Sequence, residues 1–326
     1  MNDQYPEGLK RFIVQLNKLS PFLNAASKSP TPALTLFESA ARQYTFYLEA
    51  LARIYRKIHD ETAFNNLRKE FKLLEDQLGS VDFYNTYYQE FLKLESFPSQ
   101  LLEYFKNKTD VELIALQKLL DEKKWTDVEG GMISQLIQKL GKMAWLNPDK
   151  DRKAIADFLN EEWKDFRKDF KKEKFDFTLL EQGVHEFRRQ LRWFSIYAQA
   201  LDGLIQLKDN PEHAAELSKY LTPEILNSPF NKMPAGQESV TPIYISAPDF
   251  YITSWLINEI GTLKDEGLRI HSLVEAISAT GMKSETEATG YAASLLKVSQ
   301  EAGKTLSKKA SSVAGELMGE ISMKYE

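Results

Sequence analysis

Apolar residues recur at steps of three and four through most of this 326-residue chain, and that periodicity constrains the fold more than any other feature. Leu36, Ala40, Tyr44, Tyr47, Leu51 and Ile54 form one such run; Leu180, Val184, Phe187, Leu191, Phe194 and Ala198 form another. Residues so spaced share one face of a helix and leave the other to solvent. The 15 glycines and 12 prolines are too few to punctuate the many short strands of a sandwich or barrel. An all-α protein of about ten helices is predicted. Its hydrophobic share of 43% and charged share of 27% are ordinary for a chain that folds.

Turn and cap residues divide the pattern. Thr31-Pro32, Asn147-Pro148 and Thr222-Pro223 each place a capping oxygen before a proline whose missing N–H costs nothing in a first helical turn. Breaks are expected at 25–33, near Pro98, at Pro148, around Asp209-Asn210-Pro211, and through 227–242, the longest loop-like stretch. Only Val240–Ser246 reads as extended, and its proline suits an edge or a loop passage.

The two halves resemble each other weakly. Leu36, Glu38, Tyr44 and Leu48 lie over Leu179, Glu181, Phe187 and Leu191, which sets Arg42 opposite His185. Gln77–Val81 likewise resembles Glu259–Leu263, with a glycine in each, Gly79 and Gly261. The expected organisation is an N-terminal helix within 1–30, two pseudo-repeated antiparallel four-helix bundles at 31–145 and 146–280, and an amphipathic C-terminal tail helix at 281–326. Chance plus helical periodicity would give the same similarity.

Much chemistry is excluded. Without cysteine there are no disulfides, thiolate metal sites or cysteine nucleophiles. His59, His213 and His271 have no second histidine at helical ligand spacing, and no nucleotide-binding, serine-hydrolase or zinc-peptidase motif occurs. The chain therefore reads as non-enzymatic, with no cofactor and no metal. No run of about 18 apolar residues appears, and the first residues lack a secretory pattern, so a cytoplasmic location is expected. The net charge of −5 disfavours nucleic acid as the main partner.

The most distinctive segment is Val184–Trp193. On a helix, His185, Arg188 and Arg192 line one face with Arg189 beside them. Like charges on one short stripe repel unless something negative lies opposite. An anion held by guanidinium forks would satisfy them, and so would glutamates on a neighbouring helix. His185, Arg188 and Arg192 resemble the His-x-x-Arg-x-x-x-Arg signature of the CHAD family, the conserved-histidine α-helical domain. Ile260–Asp265 is similar to that family's Leu-Gly-x-x-Arg-Asp ending, with Lys264 in the basic place. The resemblance covers about residues 34–275. It implies two related bundles around a basic surface that binds inorganic polyphosphate and associates with granules. The site so implied is His185, Arg188, Arg189, Arg192 and Lys264. In the first half Arg42, Thr45 and Glu49 stand where that signature has its histidine and arginines.

Two other segments carry charge or amphipathicity. Lys164–Lys174 interleaves lysines with Asp165, Asp169 and Glu173, as an ion-paired helix face would, though Lys168, Lys171 and Lys172 could also extend an anion surface. From Ser284 onward, Leu295, Val298, Ala302, Leu306, Ala310, Val313, Leu317 and Ile321 make one narrow stripe. That stripe suits attachment of residues 284–326 to a granule, membrane surface or partner, or docking onto the bundles.

Overall fold

A computed structural model describes residues 5–127, 130–236, 240–299 and 301–326. The protein is all-α. Helices α1 (Glu7–Ser27), α2 (Pro32–Phe37), α3 (Ala41–Ile58), α4 (Glu61–Phe91), α5 (Ser99–Glu122) and α6 (Met132–Gly141) precede α7 (Pro148–Lys171). A π-helical turn, Leu180–His185, leads into α8 (Glu186–Ala200), strand β1 (Ile205–Lys208), α9 (Pro211–Glu216) and α10 (Pro223–Asn227). Strand β2 (Ile243–Ser246), α11 (Ala247–Ala279), α12 (Glu285–Leu296) and α13 (Ala302–Leu317) complete the chain.

The prolines mark boundaries as their chemistry requires. Asn147 accepts from the amide of Lys150, and Thr222 from that of Ile225, each ahead of a first-turn proline. Thr31 departs from the expectation. It precedes Pro32, but its side chain caps nothing, and the amide of Ala33 donates instead to Gln117 of α5. Of the loop expected at 227–242, residues 237–239 lie outside those described.

One continuous core joins the sequence halves. Phe12 and Leu16 of α1, Leu51 and Tyr55 of α3, Leu159 of α7, Leu191 and Tyr197 of α8 and Leu256 of α11 are buried in it together. A second cluster at the far ends of α4, α5 and α11 combines Phe91, Phe105, Leu273 and Ile277 with Ala288 and Ala292 of α12. Buried polar groups also tie distant segments: Arg11 of α1 donates to Asp151 of α7 and to the Tyr55 hydroxyl, which donates to the same carboxylate.

Two expectations need correction. Residues 284–326 are not one helix. Lys297 takes a left-handed conformation (φ 54°) and ends α12, so Val298 falls in the break and stays exposed. A straight helix over this range would run about 65 Å. The chain instead folds back, α12 joining the far cluster and α13 packing along α11 with Ala310, Ala314 and Leu317 buried. The stripe thus faces the protein's own core. The extended segment, in turn, is no free edge. β2 pairs in parallel with β1, Ile205 opposite Ile243, and on its other side Tyr244 exchanges two backbone bonds with Glu326. Nothing in the β1 sequence alone announces a strand; its partner β2 comes from 38 residues further on.

Candidate anion-binding site

The site begins with two glycines. At Gly261, in the middle of α11, a Cβ would lie 2.7 Å from Arg188 Nε, so only glycine lets the Arg188 side chain lie flat across that helix. Arg188 Nε there donates to the Ile257 carbonyl at 3.1 Å. At Gly79 of α4 a Cβ would lie 2.5 Å from Arg42 Nη2, so Arg42 crosses α4 in the same way. The residue that crosses a glycine as Arg42 does is thus Arg188, not the His185 that the sequence alignment set opposite it.

Arg192, one turn beyond Arg188, lies over the Phe46 ring at 4.6 Å, and Arg42 approaches the same ring at 5.5 Å. The three guanidinium groups line a cleft of about 520 Å³ between α3, α8 and α11. Its remaining walls are Asp82 of α4, and α10 with the turn after it. Ile225, Ser228 and Phe230 form a roof, which Gln199 of α8 holds by donating to the carbonyls of Phe230 and Lys232, both at 3.0 Å.

The charges are not equally satisfied. Arg42 bonds Glu75 at 2.9 Å and Asp82 at 2.8 Å. Burial pushes the Glu75 carboxyl above the usual range, and Arg42 opposes that push. Among the described residues, neither Arg188 nor Arg192 has a carboxylate within 4 Å in an ion pair. Burial lowers the pKa of Arg188, with Asp265 opposing. Burial, reinforced by the charges of Arg188 and Arg42 and opposed by Glu75, pushes Arg192 down to about 10. For both guanidinium groups the cost of burial outweighs the attraction of the carboxylates near them.

The other three residues of the expected set lie elsewhere. Arg189 turns to the opposite side of α8 and pairs with Glu186 at 2.6 Å, in a second groove that also contains Asp165 and Asp169. Lys264, on α11, is largely buried and bonds Asp265 at 2.6 Å. His185 stands one turn before the cleft, half-buried, 3.9 Å from Glu181. Burial holds its pKa below the ordinary value; Glu181 opposes this, and Lys264, Arg188 and Arg189 add to it. Glutamate pairing thus accounts for Arg189 and Arg42 but leaves Arg188 and Arg192 over. Sequence reasoning missed Arg42, which it treated only as a departure from a histidine position, and the roof, which it treated only as loop. The available signal was the glycine pair, since each glycine marks the crossing of an arginine.

The basic stretch at 164–174 is ion-paired in part, Lys174 bonding Asp169 at 2.7 Å. Among the described residues, no helix is long and apolar enough to cross a membrane. Compared with protein-family models, curated proteins and solved structures, the chain matches none.

Proposed function

We propose that the protein is a non-enzymatic binding module for phosphate-bearing anions, with the cleft between α3, α8 and α11 as its site. One observation carries the reading: Arg188 and Arg192 hold two half-buried positive charges side by side, and among the described residues neither has a carboxylate within ion-pair distance. Leaving such charges unpaired is unfavourable, and an oxyanion bridging both forks removes the penalty. Arg42 completes the cationic floor while itself remaining paired. Inorganic polyphosphate, the ligand implied by the CHAD resemblance, would enter by a terminal phosphate, and granule association would follow from that binding. His185, Arg189 and Lys264 would act only through the surrounding field.

The test is calorimetric titration with inorganic phosphate and long-chain polyphosphate at low and moderate salt. The wild type should bind saturably and more weakly as salt screens the charges. The Arg188→Ala/Arg192→Ala double variant should not bind. Gly261→Ala, which displaces the Arg188 guanidinium without removing its charge, should bind at least tenfold more weakly while keeping its helical spectrum. Absence of binding by the wild type, or undiminished binding by the double variant, would overturn the proposal.

A further inference from the structure

The cleft says more about its ligand than that it carries phosphate. Among the described residues, two of its three arginines have no ion-paired carboxylate, whereas Arg42 has Glu75 and Asp82. Two free charges match one phosphate group, which carries nearly two negative charges near neutral pH. Asp82 and Glu224 both line the cleft and are exposed, so a chain of further phosphates leaving it would pass carboxylates instead of cations.

The walls beyond the arginines are apolar. Ile196 and Ile225 are buried there, and the roof presents Phe230, 59% exposed. The backbone that carries this ring is held at two points. Gln199 binds the carbonyl of Phe230 itself, and Asn231, 3% exposed, donates to the Ile225 carbonyl at 2.8 Å. A cavity of about 520 Å³ lies within the range of ~300–1,000 Å³ usual for small-molecule sites and far exceeds the needs of a phosphate group alone.

We infer that the cleft binds a single phosphate monoester of an apolar, ring-bearing alcohol, its phosphate on Arg188 and Arg192 and its body between Phe230 and Ile196. This inference rests on the reading of the cleft as a phosphate site. It differs from the polymer in requiring one phosphate and one apolar group on the same molecule. Stacking against Phe230 and burial against Ile196 supply affinity that inorganic phosphate lacks.

The experiment is calorimetry on the full chain with phenyl phosphate, inorganic phosphate and long-chain polyphosphate, repeated on Phe230→Ala. Phenyl phosphate should bind at least tenfold more tightly than inorganic phosphate. Phe230→Ala should cut that advantage to threefold or less while leaving inorganic phosphate binding and Tm unchanged, since the ring makes little of the core. Equal affinity for the two small anions, an advantage that survives Phe230→Ala, or tighter binding per site by polyphosphate would overturn the inference and leave the phosphate site standing. No binding of any of the three would remove both.

Discussion

Arg192 carries its charge against the surrounding field, and removing that charge should stabilise the empty protein. Its pKa falls from the ordinary arginine value to about 10 through burial and the nearby charges of Arg188 and Arg42. At ~1.4 kcal/mol per pH unit, a fall of this size means that holding the charge costs the folded state roughly 3 kcal/mol. Arg192→Met removes the charge and keeps the unbranched stem that fills the space. It also loses the contact with the Phe46 ring at 4.6 Å, worth ~0.5–1 kcal/mol. The net expectation is about 2 kcal/mol of added stability, against the usual direction for a substitution at a half-buried site. Urea unfolding followed by circular dichroism measures it. Arg192→Lys, which keeps a charge, should show no such gain, and saturating phosphate should stabilise the wild type but not the methionine variant. Destabilisation of Arg192→Met by more than ~1 kcal/mol without anion would mean that the arginine has a partner, and the reasoning would be wrong.

Other consequences follow from groups outside the cleft. Arg11→Met should destabilise the protein by about 3–5 kcal/mol, because it leaves Asp151 buried with only the Tyr55 hydroxyl. Adding Asp151→Leu should recover part of the loss, and a double variant less stable than the single would refute this. His213 and His185 should titrate on opposite sides of the ordinary histidine value of 6.5. Burial lowers the His213 pKa, but its bonds to Glu216 and Asp249 outweigh that and raise it. The contribution of His213 is therefore fully present below pH 6.5 and lost as pH rises through its folded value. His185, lowered mainly by burial, behaves oppositely: the unfolded chain takes up the proton first, so stability falls as pH drops from 6.5 through the folded value. Histidine resonances followed by NMR across pH 5–8 would show the order, and its reversal would exclude these assignments.

The long periodic runs made α3 and α8 legible, and Pro98, Pro148 and Pro211 fixed where neighbouring helices begin. Spacing also placed Arg188 and Arg192 on one face, since two residues four apart on a helix are neighbours whatever surrounds them. Arg189 shows where such reasoning stops. It differs from Arg188 by one position, yet that step carries its side chain round α8 to Glu186 and away from the cleft. Lys264 kept the expected position in α11 but is taken up by the adjacent Asp265.

By itself the sequence determined the helical class, the helix starts at its proline-marked breaks and which charges share a helix face, because all of these are set within a turn or two of chain. Tertiary structure alone decided which charges remain unpaired. Arg42 finds its carboxylates on α4, across Gly79, and Arg188 crosses α11 at Gly261, where among the described residues it meets a backbone carbonyl and no ion-paired carboxylate. The roof over the arginines and the return of residues 302–326 onto α11 and β2 were decided in the same way. Periodicity records which side of a helix is apolar, but whether a buried cation has a counter-charge depends on what distant segments bring within about 4 Å of it.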